Sequence, residues 1–120
     1  MLSPFPRSEK TMKIEQKDGV TIIIADKRLD ALIGPKLKDL ITELAQKPGL
    51  KLVIDMEQTR FLDSSGCKWL ASSAKHVAKN SGVMKIARPA KQPLEILQMV
   101  HLDRLFEIHE SLESASGSFT

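Results

Sequence analysis

The chain alternates short apolar runs with segments of helical periodicity, and this alternation limits its possible folds more than any other feature. Met12 to Gln16 alternates apolar and polar side chains, and Val20 to Ala25 is rich in β-branched residues. Lys17-Asp18-Gly19, between these runs, is typical of a hairpin turn. The sequence therefore begins its folded part with two predicted adjacent strands.

Helices and further strands are predicted to follow in alternation. Leu37, Leu40, Ile41 and Leu44 recur at helical spacing, with Gly34-Pro35 at the start. Pro48-Gly49 ends this first helix. The later elements are predicted as a strand at Leu50 to Ile54, a helix at Ser64 to Asn80, a strand at Val83 to Ala87, a helix at Pro93 to Val100, a short edge strand at Leu105 to Ile108, and a small terminal helix. Such alternation indicates an α/β fold with a largely parallel sheet.

The length and composition indicate one domain without metal or disulfide support. The chain has 120 residues and one cysteine, which favours a reducing, cytoplasmic compartment. We assign residues 1–11 to a flexible leader, 12–114 to the domain and 115–120 to a polar tail. The leader lacks the apolar segment of a secretory signal, and no apolar run is long enough to enter a membrane directly.

The charged residues do not indicate a nucleic-acid-binding protein. The net charge is +3, but 18 Lys and Arg are interspersed with 15 Asp and Glu. No zinc-finger or basic-aromatic pattern is present in the sequence. We therefore expect no nucleic-acid partner and interpret the charges as a mixed, solvated surface.

Asp63-Ser64-Ser65-Gly66 is the segment most informative about function. It lies where a predicted strand leads into the second helix, and Asp and Ser are favoured helix N-caps. A cap needs one such residue, whereas this turn combines an acid, two hydroxyls and a glycine at the positive end of a helix dipole. The local chemistry leaves open a simple cap and a hydroxyl that carries a phosphate. Gly66 fits either space for an approaching kinase or close packing.

The same segment resembles the signature of STAS domains, the family of anti-sigma factor antagonists. Leu52-Val53-Ile54-Asp55 and Phe61-Leu62 precede it as in that family, and the element order over Met12 to Ser114 is similar. Leu29-Asp30 and Leu102 to Phe106 resemble weaker family elements. The resemblance implies a STAS-like domain with a mixed, largely parallel sheet of four to five strands and helices packed mainly on one face.

The resemblance also implies a partner-switching mechanism. An unphosphorylated antagonist of this family binds an anti-sigma factor that is a serine kinase, and phosphorylation ends the complex. The phosphoacceptor maps onto Ser65, and a serine phosphatase restores the active form. The partner-binding residues expected from this resemblance and from the exposed side of the second helix are Asp30, Asp63, Ser64, Ser65, Gly66, Lys68, Trp69 and Ser72.

Two lysines depart from the family pattern. Lys27 stands where a glycine often precedes the Leu-Asp element, and Lys68 stands where a glycine often follows the signature. Both place long cations near the expected docking surface. They bear on the identity of the partner more than on the fold.

The second helix is predicted to have one apolar and one polar side. The predicted core stripe consists of Cys67, Leu70, Ala71, Ala74, Val77 and Ala78. The opposite side carries Ser65, Lys68, Trp69, Ser72, Lys75, His76 and Lys79. Trp69 is either a binding hot spot or a side chain that folds over an adjacent helix, and from its position opposite the apolar stripe we predict that it is substantially exposed.

The remaining residues do not indicate an enzyme. The spacing of His76, His101 and His109 matches no metal-ligand pattern, and Cys67 is expected to be an inert buried thiol. No phosphate-binding loop or nucleophile elbow occurs in the sequence. We expect no cofactor, no metal and no turnover. The alternative function is a stand-alone STAS subunit of a membrane transport complex of the lipid-trafficking ABC type.

Overall fold

The computed structural model of the protein describes residues 12–119, so the predicted leader at 1–11 lies outside the described residues. Strand β1 (Lys13–Lys17) and strand β2 (Val20–Ile24) form an antiparallel hairpin. Asp18 and Gly19 at its tip have φ of 54° and 79°, the left-handed values that a tight hairpin turn requires. The predicted turn and the two adjacent strands are therefore confirmed.

A five-stranded mixed sheet forms the centre of the molecule. Its order is β1-β2-β4-β6-β7, with β4 at Lys51–Asp55, β6 at Val83–Ala87 and β7 at Ile108–His109. The pairs β2–β4, β4–β6 and β6–β7 are all parallel. The α/β class and the largely parallel sheet are confirmed.

Three helices cover one face of this sheet and a short fourth helix covers part of the other. Helices α1 (Gly34–Leu44), α2 (Ser64–Lys79) and α3 (Lys91–Met99) contribute apolar side chains to the main core. Helix α4 (Leu112–Gly117) packs on the opposite face, where Ala115 meets Val20, Ile22 and Val53. The helices are thus packed mainly on one face, as predicted.

Several local predictions are wrong. The edge strand expected at Leu105 to Ile108 is instead β7 at Ile108–His109, because Phe106 turns into the core after a short 3-10 turn at Leu102–Arg104. On α2, Ala78 is exposed and Ser73 occupies the buried stripe. Residues 115–117, which we assigned to the polar tail, are helical.

Two very short strands were not predicted at all. Strand β3 (Arg28–Leu29) pairs in parallel with strand β5 (Phe61–Leu62), forming a separate two-stranded sheet. This pair ties the segment before α1 to the segment before α2. It places Leu29-Asp30 beside the Asp63-Ser64-Ser65-Gly66 turn. Within residues 12–119, no helix combines the length and apolar character needed to cross a membrane.

Candidate functional site

Asp63 caps helix α2. Its backbone is extended, and its Oδ1 accepts a hydrogen bond of 2.9 Å from the N–H of Gly66. The N–H of Cys67 donates to the Asp63 carbonyl oxygen at 3.0 Å, which starts the helical ladder. Within this turn, the predicted N-cap is therefore the Asp63 carboxylate alone, and neither serine hydroxyl contributes to it.

The two serine hydroxyls are left uncommitted by this cap. Ser64 is exposed and Ser65 is half-buried, and neither side chain has a hydrogen-bond partner among residues 12–119. Neither hydroxyl turns inward to the helix N–H groups, because the Asp63 carboxylate takes that role. Both hydroxyls lie in the first turn of a 16-residue helix, where the dipole favours negative charge.

Gly66 is required by close packing. A β-carbon at this position would overlap the carbonyl oxygen of Leu29 and lie 2.7 Å from Leu62 Cδ1. Of the two interpretations left open by the sequence, the structure supports the close approach of α2 to β3. The glycine therefore fixes the relative position of the two short strands and the helix.

Asp30 shapes the turn that leads into α1. Its Oδ1 accepts hydrogen bonds of 3.0 Å from the N–H groups of Leu32 and Ile33, and its Oδ2 accepts one of 2.7 Å from Arg28 Nε. The Ile33 hydrogen bond, reinforced by Arg28, holds the pKa of Asp30 below its usual value. Asp30 is only 8% exposed, and all of these hydrogen bonds of its carboxylate are to residues of its own loop.

The other predicted partner-binding residues lie along α2. Lys68 is exposed, whereas Ser72 is half-buried and accepts a hydrogen bond of 2.6 Å from Lys38 Nζ of α1. Trp69 is half-buried, so the predicted substantial exposure is wrong. A β-carbon at Gly34 would overlap its indole ring, which shows that the ring folds over the start of α1. A partner contact by these residues stays a prediction.

Exposed apolar side chains beside the signature were missed by sequence reasoning. Leu32 is 67% exposed and Phe61 is 43% exposed. The guanidinium carbon of Arg28 lies 5.8 Å from the centre of the Phe61 ring. The available signal was the alternation within Phe61-Leu62, of which only Leu62 is buried.

Polar side chains outside the signature form hydrogen bonds that hold β5 and the loop before it. The side chain of Gln92 on α3 pairs with the backbone of β5 as a neighbouring strand would. Its Oε1 accepts from the Leu62 N–H at 3.0 Å, and its Nε2 donates to the Leu62 carbonyl at 2.9 Å. The Thr59 hydroxyl donates to the Asp26 carbonyl at 2.7 Å. These contacts fix the loop that carries Phe61.

An ion pair between the buried Asp55 and the half-buried Arg88 joins the ends of β4 and β6. Arg88 donates through Nε and one terminal nitrogen to both carboxylate oxygens of Asp55, each at 2.9 Å. Arg88 also contacts Glu57 at 3.2 Å. The hydrogen bond to Asp55 raises the pKa of Arg88 above its ordinary value. This bidentate pair anchors the start of the loop that leads to the signature.

A second polar cluster lies far along the chain from the signature. His109 contacts Ser114 Oγ at 2.7 Å and Glu107 Oε1 at 2.8 Å, and Lys85 contacts the same Glu107 oxygen at 3.2 Å. Lys85 also donates to the Ser118 carbonyl at 3.1 Å. The cluster connects β6 and β7 to α4, so its evident effect is to hold the end of the chain on the sheet.

No group of metal-ligating side chains comes together within the described part of the chain. Cys67 is buried, and desolvation together with the charge of Asp63 raises the pKa of its thiol to about 11. A thiol with so high a pKa is a poor nucleophile near neutral pH. The predicted inert role of Cys67 agrees with this setting.

Comparison with known proteins places these features in a family context. The family model described as the STAS domain matches residues 11–115. The anti-sigma-F factor antagonist RsfB of Mycobacterium tuberculosis is 24% identical over 110 residues, which cover 89% of this chain and 90% of RsfB.

Solved structures share the fold over nearly the whole chain. An anti-sigma factor antagonist from Mycobacterium paratuberculosis superposes with a TM-score of 0.79 at 25% identity, covering 90% of this chain and 92% of that one. The anti-sigma factor antagonist SpoIIAA in its unphosphorylated form gives a TM-score of 0.73 at 16% identity, covering 88% and 92%. The second of these similarities concerns the fold alone.

Proposed function

The chain belongs to the STAS domain family, and we propose that it is an anti-sigma factor antagonist that acts in the cytoplasm by phosphorylation-controlled partner switching. The names of the similar mycobacterial proteins favour this function over the transport-subunit alternative. Proteins of this family are generally not enzymes. We propose that this chain likewise contributes a binding surface and a phosphoacceptor while its partners supply the catalysis.

The observation that carries the proposal is the uncommitted state of the serine hydroxyls. Because Asp63 caps α2, Ser64 and Ser65 have no hydrogen-bonding task within the described residues. In the unphosphorylated state this turn would dock on an anti-sigma factor serine kinase and displace the sigma factor. Asp30 and Gly66 would act by shaping the loops, whereas Lys68, Trp69 and Ser72 would extend the contact along α2.

Phosphorylation would end the complex without unfolding the domain. In the kinase, the Ser65 hydroxyl oxygen would attack the γ-phosphorus of ATP, its proton would pass to a kinase base, and ADP would leave. The attached phosphate adds about −1.5 to −2 charge at pH 7. The helix dipole stabilises that charge at the start of α2, whereas a docked partner would have to desolvate it. A serine phosphatase would restore the hydroxyl by hydrolysis.

The test compares Ser65→Ala, Ser65→Asp and the matched control Ser64→Ala. The binding partner is the anti-sigma factor serine kinase of the same genome, measured by calorimetry with and without ATP. We expect Ser65→Ala to bind and to resist phosphorylation, Ser65→Asp to fold and bind poorly, and Ser64→Ala to remain phosphorylated. Stoichiometric phosphorylation of Ser65→Ala at this turn would contradict the assignment of Ser65.

A second outcome tests the switch itself. Wild-type protein phosphorylated to completion should lose kinase binding while its circular dichroism spectrum stays unchanged. If the phosphorylated form binds as tightly as the unmodified form, the partner-switching mechanism is wrong. Phosphopeptide mass spectrometry of the native protein then shows whether Ser65 carries the phosphate in the cell.

A further inference from the structure

We infer that the surface around the signature recognises an acidic protein face that contains an apolar pocket. This docking surface consists of Lys27, Arg28, Leu32, Arg60, Phe61 and Lys68. The inference rests on the proposed function, because it describes the chemistry of the partner that the antagonist would bind. It goes further by stating which charge and shape that partner must present.

The apolar part of the docking surface is formed by two outward-facing side chains. Leu32 and Phe61 are 67% and 43% exposed, although each lies in a short segment fixed by hydrogen bonds. The Asp30 carboxylate accepts a hydrogen bond from the Leu32 N–H, and the Gln92 side chain accepts one from the N–H of Leu62, which follows Phe61. Because the backbone that carries these side chains is already held, less conformational entropy is lost on binding, which favours their use as anchors.

Most of the exposed charges on the segments that contain β3 and β5 are cations, and Glu57 is the exposed anion among them. Lys27 and Arg60 are exposed, and Lys68 is exposed on the first turns of α2. The Arg28 side chain is 63% exposed, and its Nε is paired with Asp30. By contrast, the acidic side chains of the same segments face inward or have partners. Asp26 and Asp30 are buried and Asp63 caps the helix. Glu57 is 65% exposed but is paired with Arg88 at 3.2 Å.

The pairing of β3 with β5 brings these groups together. The Arg60 N–H donates to the Lys27 carbonyl at 2.7 Å, so these two cations lie side by side just before the paired strands. Arg28 is in register with Phe61, and its guanidinium lies over that ring. An apolar anchor with cations on the same two segments therefore lies beside the serine turn, and its electrostatic complement is a carboxylate-rich face with a pocket.

The same arrangement explains why a phosphate would act as a switch here. A phosphate on Ser65 would lie three residues before Lys68 on α2, a spacing at which helical side chains are neighbours, and would reduce the positive character of the surface. An acidic partner would then meet a new negative charge where it had met lysine and arginine. Lys27 and Lys68 thus become determinants of partner choice.

The test measures binding of the anti-sigma factor serine kinase of the same genome to charge-reversed variants. Arg60→Glu and Lys68→Glu should each weaken binding about tenfold or more, because each replaces attraction by repulsion at a desolvated contact. Phe61→Ser should weaken it to a similar degree. Lys51→Glu, an exposed charge at the other end of the central sheet, is the matched control and should change the Kd less than about twofold.

Rescue by a charge swap identifies the acidic partner residue. Glu or Asp to Lys substitutions in the kinase, combined with Lys68→Glu, should restore most of the lost affinity for at least one pair. Thermal unfolding of every variant shows whether it is folded. If Arg60→Glu and Lys68→Glu are folded and bind like wild type, the inference is wrong while the proposed function stands. If the unmodified wild-type protein does not bind the kinase at all, both are wrong.

Discussion

At the scale of single residues, one side chain caps helix α2 and a different one is the proposed phosphoacceptor. Helix N-termini leave N–H groups without intrahelical partners, and a serine at the N-cap position normally accepts a hydrogen bond from one of them. Here Asp63 accepts the bond from Gly66, so the neighbouring hydroxyls are not needed for helix stability. A covalent group can therefore be added to Ser65 without breaking a hydrogen bond that the helix requires.

The close approach at Gly66 leads to a stability prediction. Gly66→Ala should lower the free energy of unfolding by about 2 kcal/mol, since the new methyl group would overlap the Leu29 carbonyl oxygen and β3 would have to move. Chemical denaturation measures the loss. Gly117→Ala is the control, because a β-carbon there meets nothing within 4 Å and should leave stability within about 0.5 kcal/mol of wild type. Equal stability of the two variants would contradict the packing role of Gly66.

The buried thiol leads to a reactivity prediction. Because burial raises the pKa of Cys67 to about 11, against 9.0 for the free side chain, its thiolate fraction near pH 8 should be about a hundredfold lower in the folded protein. Alkylation by iodoacetamide should therefore be at least that much slower in native than in urea-unfolded protein. The raised pKa also means that the stability contributed by this group is present below pH 9 and is lost between about pH 9 and 11. Fast native alkylation would show an accessible, reactive thiol instead.

The limits of sequence reasoning are visible at Trp69. Helical periodicity correctly placed it opposite the apolar stripe, but periodicity does not say what a helix face meets. The missing information was Gly34, whose absent side chain lets the indole settle over the start of α1. Such a contact depends on two residues 35 positions apart, and a single sequence does not indicate that they pair.

At the scale of elements, two-residue strands organise the site. Strands β3 and β5 join the two loops that carry the docking surface, and α3 extends this pairing through the side chain of Gln92. A side-chain amide can pair with a strand as another strand would, because its carbonyl oxygen accepts and its NH₂ group donates in the same plane. The precision of the serine turn thus depends on a residue nearly 30 positions away.

Substitution of Gln92 tests this support. Gln92→Glu keeps the acceptor for the Leu62 N–H but places a carboxylate oxygen against the Leu62 carbonyl, and it should cost about 1–3 kcal/mol of stability. Hydrogen exchange at the amides of Phe61 and Leu62 should accelerate more than exchange in β4. Gln98→Glu, on the exposed side of the same helix, is the control and should alter neither quantity. Unchanged exchange at Leu62 in Gln92→Glu would rule out the support.

The major elements could be predicted from sequence because each contains several repeats of its own period. The strand Val20–Ile24 and the helix stripe through Leu37, Leu40 and Ile41 are examples. Two residues contain no measurable period, so β3 and β5 were missed. The strand expected at Leu105 was misplaced for a related reason, because apolar content alone did not distinguish a core-facing bend at Phe106 from a strand.

At the scale of the whole molecule, the two faces of the sheet have different tasks. The face under α1, α2 and α3 contains the large core and positions the signature. The opposite face is covered by α4 and by Phe119, whose ring lies 4.5 Å from the Lys85 ammonium. Lys85 is nearly fully buried there, so the end of the chain shields a charge as well as apolar surface.

Removal of this cover gives the last prediction. Deleting residues 112–120 exposes Val20, Ile22 and Val53 on the sheet and takes away the ring and the carbonyl oxygen that surround the Lys85 ammonium. The loss of these contacts should lower the free energy of unfolding by about 3 kcal/mol or more and increase binding of a hydrophobic dye such as ANS. Glu113→Gln, an exposed substitution on α4, should leave both measurements close to wild type.

Kinase binding by the remaining folded fraction should persist, because the docking surface lies on β3, β5 and α2 rather than on the face that α4 covers. If the deletion leaves the denaturation midpoint unchanged, α4 is not part of the stable fold, and if it abolishes kinase binding in folded protein, the docking surface extends to the end of the chain.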